Sequence, residues 1–428
     1  MTSLRTGYIY HELFGWHDTG TNTGFFPSDP ARGLQPFVNY ENAETKRRIH
    51  ELIVVSGLVD HLDRRTARHA TTEELLLVHP QEYLDRLKKV SEQETGGDAG
   101  DGETPLAKGG YEVGTLGVGS VTQMIQDALA GHIDNGYALV RPPGHHAVRA
   151  GGMGYCLFSN LGVAIAVAKK ENPGIRIAVV DWDVHHGNGT QDIFFDDPDV
   201  LTISLHQDRL YPRNSGMREE RGVGININIP LPAGTGNGGY LYAFETVIKP
   251  ALKKFKPDLI AVASGFDSSV YDPLGRMLVT AKGYAQMTEV LMESAADTAA
   301  SKPDYPTAML LYDKAMLSFS DACDSEAADR ARAKLAEATR NDTNSRACET
   351  NRAAGRKSIL SAIGYHAQGD FTSALCLYAE AHGIFMLAGD DAGVAEAMSG
   401  KIQCAIDAFE ASVYTRTRDA VTMALATV

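Results

Sequence analysis

The chain reads as an α/β protein on a parallel sheet, followed by an all-helical segment. Three observations predict this. Short β-branched runs alternate with helical stretches up to about residue 300, the order that builds strand–helix–strand units. Several runs, such as "IAVV" and "LIAVA", are apolar at consecutive positions, as strands covered on both faces are. From about residue 307 the β-branched runs cease and alanine-rich helical periodicity takes over.

Taken in order, "ETKRRIHEL" at 44–52 is a mixed-charge helix, and its basic "TKRR" is a solvated face rather than a ligand patch. Strands are expected at 137–142, 175–183, 200–206, 225–231 and 258–265, with helices at 159–171, 239–256 and 281–299. Residues 1–300 thus form one domain and 301–428 a second, helical one. In the latter, "AMLLYDKAMLSFSDACD" at 308–324 aligns with "ALCLYAEAHGIFMLAGD" at 374–390. The match keeps Ala308/Ala374, Leu311/Leu377, Tyr312/Tyr378, Ala315/Ala381, Phe319/Phe385 and Ala322/Ala388. The shift of 66 residues is close to twice the ~34-residue tetratricopeptide unit, which the pattern at 369–381 resembles. An unrelated helical bundle remains the alternative. The polar stretch 340–356 is a loop or a poorly packed helix.

A net charge of −14 argues against a nucleic-acid footprint, which needs a basic face, but leaves room for a basic substrate, since negative surface potential attracts lysine-rich peptides or polyamines. Cys156, Cys323, Cys348, Cys376 and Cys404 are scattered and odd in number, which suits reduced thiols in a cytoplasmic or nuclear compartment. No apolar stretch approaches the ~20 residues that span a bilayer, and no secretory leader follows Met1.

The chemistry collects at strand ends. "GYALVRPPGHHA" finishes in His145 and His146, "IRIAVVDWDVHHG" in Asp181, Asp183 and His185, and "DLIAVASGFDSS" in Asp267. Ligands of open parallel sheets bind outside the carboxyl ends of the strands, so three such endings can meet in one crevice. Asp181, Asp183 and His185 are spaced by two and share a face while the strand lasts. One imidazole and two carboxylates from two strands match a catalytic zinc site, with a position left open for water. His145 and His146 add acid–base capacity. Asp181 and Asn188 are candidate acceptors for their ring N–H groups. A lone D-x-H at a strand end is usually a turn, and Gly187, Gly189, Tyr155 and Tyr211 read individually as turn or core residues. Three coincident endings beside a histidine pair outweigh that. An arginase-like binuclear centre would need further ligands, whereas Asp267 is followed by "SSVYDP".

With "ELFGWHDTGT", "ETGGDAGDGET", "VLTISLHQ", "PLPAGTGNGGY" and "SGFDSSVYDPLGRMLVT", these motifs resemble the histone deacetylase family over residues 6–300. The likeness is to the class II branch and its bacterial amidohydrolase-like members. The resemblance implies an arginase–deacetylase fold and zinc-dependent removal of acyl groups from lysine side chains of histones or other proteins, or from acetylpolyamines. It implies zinc on Asp183, His185 and Asp267, with His146 as base and acid and His145 as its electrostatic partner. Asp181 would hold His145, and Asn188 would hold His146. It further implies substrate contacts from Asp101, Gly154, Tyr155, Tyr211 and Leu274, and structural potassium at Asp181, Asp183, His185, Ser204 and Leu205.

Two departures stand out. The family's next strand, ending in a Gly-Gly-Tyr loop whose tyrosine donates to the oxyanion, has no counterpart before "SKPDYPTAM". Tyr240, Tyr271 and Tyr305 do not match it. Losing such a donor costs about 10²–10³ in rate, and losing the strand exposes a neighbouring strand edge. The glycine-rich run before "NINIPLP" is also short. The competing expectation is therefore a weak or inactive deacetylase fold acting as a protein-binding scaffold through its helical repeats.

Overall fold

The computed structural model describes residues 5–20, 39–223, 225–301, 329–336, 348–387, 390–405 and 407. Two compact units divide the chain, residues 2–283 and 284–428.

The first unit begins with β1 (Thr6–Ile9), α1 (Glu44–Val55), β2 (Asp63–Arg64), α2 (Thr72–Leu75) and α3 (Gln81–Ser91). A small antiparallel pair follows, β3 (Gly97–Asp98) and β4 (Pro105–Leu106). Then come α4 (Gly110–Leu129), β5 (Asn135–Ala138), α5 (Asn160–Glu171), β6 (Ile177–Asp181) and α6 (Asn188–Phe194). β7 (Val200–Gln207), β8 (Asn226–Leu231), α7 (Asn237–Ala243), α8 (Lys249–Phe255) and β9 (Leu259–Ala263) complete the unit's strands. α9 (Ala281–Ser301) carries the division between the units.

Parallel pairing and strand–helix alternation agree with the sequence reading, but the strands form two sheets. One has the order β2-β1-β5 and the other β8-β7-β6-β9. Among the described residues, β5 and β9 each pair on one side only. Their ends meet where the Ser264 hydroxyl hydrogen-bonds Tyr137. The apolar run of β9, expected to be covered on both faces, is half-exposed at all but Ala261, as suits a strand paired only with β6 among the described residues. By contrast, β8 pairs with β7 along its whole length despite the short glycine-rich run before it.

The core lies between these sheets and the helices around them. Val179, Ile177, Val163, Ile165, Leu157, Phe158 and Val118 form one buried cluster. The expected helix at 239–256 is broken by a π turn at Phe244–Ile248. The basic residues of "TKRR" lie on solvated α1, where Arg47 and Arg48 pair with Glu44 and Glu51.

The described part of the second unit is helical, with a helix at 329–336, α10 (Cys348–Ala367), α11 (Phe371–Leu387) and a further helix at 391–405. The second copy of the internal repeat supplies its core: Ala374, Tyr378, Ala381 and Phe385 pack with Ile359, Ala362 and Ala397. The first copy, 308–324, and residues 340–347 lie outside the described residues. The remainder of the polar 340–356 stretch is the start of α10. No helix among the described residues is long and apolar enough to cross a membrane.

Candidate metal centre and active site

Strand β6 stops at Asp181, so Asp183 and His185 lie past its end, in a hook built by carboxylates. The Asp183 amide donates to Asp181 Oδ1 (3.1 Å), and the His185 amide donates to Asp183 Oδ1 (2.8 Å). Asp267 follows β9 and is tied back to the hook, because its Oδ1 accepts the Val184 amide at 2.8 Å. Next to it, Ser268 bonds the Trp182 carbonyl and the Tyr240 hydroxyl.

Asp183, His185 and Asp267 each present one ligand atom within 4.8 Å of the others. His185 Nδ1 lies 3.0 Å from Asp183 Oδ1 and 2.9 Å from Asp267 Oδ2. In the protein alone a proton on His185 bridges two half-buried carboxylates. Burial opposes that charge, but the two carboxylates prevail and push the His185 pKa to about 10. Asp267, desolvated and facing Asp183, rises to about 7. Asp183 is held well below its usual range, since His145 and His185 outweigh its burial. Two carboxylates and an imidazole gathered around one positive charge fit a divalent cation, which would take the place of that proton.

The histidine pair faces this cluster, with ring centroids of His145 and His146 3.9 Å apart. His145 Nδ1–H donates to Asp181 Oδ2 (2.9 Å), and its Nε2 lies 3.7 Å from Asp183 Oδ2. Burial is overcome by Asp183 and Asp181, which raise the His145 pKa to about 9. His146 Nδ1–H donates to Asn188 Oδ1 at 2.7 Å, leaving Nε2 free to accept a proton. Burial and the neighbouring His145 and His185 push the His146 pKa well down. One ring is therefore cationic and the other neutral, the division of labour that a base beside an electrostatic partner requires.

Around the pair, the Tyr211 ring stands edge-on to His146 at 5.0 Å and to His185 at 6.2 Å. Gly154 packs so close to the His146 and Tyr211 rings that a Cβ there would overlap His146. Asp101 Oδ2 accepts the Tyr211 hydroxyl and the Gly154 amide, both at 3.0 Å. Tyr155 is half-buried, and burial raises its pKa to about 12. Leu274 sits on a turn capped by Asp272, whose carboxyl feels His185 and Asp183. Ser204 pairs in register with Asp181 and shares its hydroxyl with His206. Leu205 is the next residue of β7 and fully buried.

Sequence reasoning missed two supports of this site. Arg141, fully buried at the head of "RPPGHHA", forms a bidentate pair with Glu41 (2.7 and 2.8 Å) and donates to the Phe14 carbonyl. The second is Asp98, in "GDAGDG", where an aspartate with glycines two and four residues on is a signal for carboxylate-capped turns. The tyrosines weighed against the missing oxyanion donor do not take its place. The Tyr240 hydroxyl is engaged by Ser268 at 2.7 Å, and Tyr271 is 93% exposed. Tyr305 is outside the described residues.

Fold and site together define a candidate metal-binding centre at the strand ends of a parallel α/β protein. Comparison with known proteins makes the class specific. The histone deacetylase domain matches residues 39–302. The chain is 42% identical over 301 residues to the histone deacetylase-like amidohydrolase of Pseudomonas aeruginosa, covering 68% of this chain and 77% of that one. It is 37% identical over 304 residues to histone deacetylase clr3 of Schizosaccharomyces pombe, covering 67% of this chain but only 43% of the relative. The crystal structure of the HDA15 HD domain superposes with a TM-score of 0.62 at 28% identity, over 78% of this chain and 99% of that one. The chain belongs to the histone deacetylase family, among its deacetylases and amidohydrolases.

Proposed function

We propose that residues 1–300 form a zinc-dependent hydrolase of acyl-lysine side-chain amides, in histones or other proteins, or of acetylpolyamines. The carrying observation is the convergence of Asp183, His185 and Asp267 beside a neutral His146. His146 takes a proton from the attacking water at Nε2 and returns it to the leaving amine. Asn188 holds the ring in the right tautomer, and His145, paired with Asp181, keeps positive charge nearby. Zinc on the three ligands would polarise the amide carbonyl and acidify the water. Gly154, Tyr155, Tyr211 and Leu274 would line the acyl chain, and Asp101 would orient the substrate backbone. Potassium is the second expected ion, at Asp181, Asp183, His185, Ser204 and Leu205. A small cavity lined by Asp181 and Ser204, two of these five, supports this, with the Thr190 hydroxyl and Asn228 carbonyl beside it unpartnered among the described residues.

The test is turnover of an acetyl-lysine reporter with zinc content measured in parallel. His146→Ala should retain about one zinc and lose about 10²–10⁴ in rate. Because His185 is protonated at neutral pH in the metal-free protein, binding must release a proton. Apparent zinc affinity should therefore rise about tenfold per pH unit between pH 7 and 8, and more steeply below pH 7, where Asp267 is protonated as well. A pH-independent affinity would contradict the ligand set.

A second reading, a scaffold that recruits proteins through its helical repeats, is favoured by the engaged or exposed state of Tyr240 and Tyr271. It would be supported by tight zinc binding with wild type no faster than His146→Ala.

A further inference from the structure

We propose that Asp98 is a positioning residue. It fixes the loop through which Asp101 and Thr104 hold the Gly154–Tyr155 turn against the histidine pair. The functional part of this inference rests on the deacylase reading above.

The loop joining β3 to β4 is closed on one carboxylate. Asp98 Oδ1 accepts the amides of Gly100 (2.7 Å) and Gly102 (2.8 Å), and its Oδ2 accepts that of Thr104 (2.9 Å). Three charge-assisted bonds to alternate amides fix the loop's path. Gly102, at φ 81°, makes the reversal that L side chains resist. Ala99 and Thr104 close its base through an amide–carbonyl bond of 2.9 Å.

Two side chains leave this loop for the site. Asp101 Oδ2 receives the Gly154 amide, and Thr104 Oγ1 receives the Tyr155 amide at 3.1 Å. Those two residues are consecutive and both left-handed, at φ 51° and 67°. For a tyrosine this backbone region is sparsely populated, and such a conformation persists only where the surroundings over-determine it. Here both amides of the strained pair are held by the Asp98 loop. Gly154 presses on the His146 and Tyr211 rings, so a shift of the turn is a shift of the wall beside the base. The same Asp101 oxygen also receives the Tyr211 hydroxyl. The one carboxylate of Asp98 thereby sets the place of Asp101, Tyr155 and Tyr211 together.

The test uses the full chain with Asp98→Ala, Asp98→Asn and, as comparator, Asp101→Ala. Amide hydrogen exchange at Gly154 and Tyr155 should quicken about tenfold in Asp98→Ala, the factor one lost charge-assisted bond represents. Asp98→Asn, which keeps an oxygen for Gly100 and Gly102, should show a smaller rise. On an acetyl-lysine peptide, KM should rise about tenfold with kcat within about twofold, the signature of lost positioning rather than lost chemistry. A merely structural role would lower the melting temperature while leaving exchange at 154–155 and KM unchanged. Should Asp98→Ala fail to fold, Asp98→Asn and Thr104→Val carry the same readouts. Exchange unchanged in the folded variants, with Asp101→Ala raising it, would overturn the proposal. An inactive wild type would count against the deacylase reading alone, and the exchange measurement would still decide on Asp98.

Discussion

β6 and β9 carry nearly the same apolar text, "IAVVD" and "LIAVA", run side by side in one parallel sheet, and each leads to a candidate metal ligand. β6 is buried at all of its residues, whereas β9 is half-exposed at all but one. The difference is the number of neighbours. β6 has β7 on one side and β9 on the other, while β9 has only β6 among the described residues. β5, the matching edge of the other sheet, is in the same position and more exposed still. An apolar run therefore reports what a strand was shaped to be buried by, and its actual burial depends on whether that partner is present. The two edges keep their place by other means: Asp267 is tied to the Val184 amide, and the chain beyond β5 is anchored by Arg141.

That anchor gives the largest expected effect. Glu41→Ala leaves the fully buried Arg141 guanidinium unpaired, and breaking a buried pair in this way costs about 3–5 kcal/mol. Chemical denaturation should show the loss. A cost below about 1 kcal/mol, the range of exposed pairs, would mean that the segment after β5 is held by packing instead.

The second expectation compares the strands directly. Ile177 of β6 is fully buried, so Ile177→Ala should cost about 2–5 kcal/mol. Ile260, half-exposed on β9, should cost less than half as much when truncated to alanine. Equal costs in urea denaturation would show that β9 is as well covered in solution as β6, and the comparison would fail.

Much of this was legible in the sequence because the signals were local. Strand ends fell within a few residues of their expected places. The ligand set and the histidine pair converge because parallel strands deliver their carboxyl ends to one edge. What could not be read was non-local. The family pattern points to a lost strand, but nothing in "LIAVA" says that this strand is the one paired on a single side among the described residues, and nothing around Glu41 announces a partner a hundred residues away in Arg141. The role of Asp98 was half-visible: its glycine spacing marks a turn, but the target of that turn, the strained Tyr155 backbone, is known only once the chain is folded. The short run before β8 departs from the family pattern, yet β8 pairs fully with β7. Loop length is a poor guide where the strand beyond the loop still matches its neighbour.

The smallest effect is also the most direct probe of the split between the sheets. In a parallel strand the amides point alternately to its two neighbours. Those of β9 that face β6 are bonded in the ladder, and the others face the second side. Hydrogen exchange resolved by residue should therefore alternate along Leu259–Ala263, with the bonded amides slow and the rest fast. Ile177–Asp181 should be slow throughout, as interior strands are when their opening approaches global unfolding. The amides of Asn135–Ala138 should alternate in the same way, since β5 pairs only with β1 among the described residues. Uniform protection of both β5 and β9 would require a ladder on their second sides. The half-exposure of "LIAVA" would then no longer describe the protein in solution, and an edge expected to be open would have to be counted as closed.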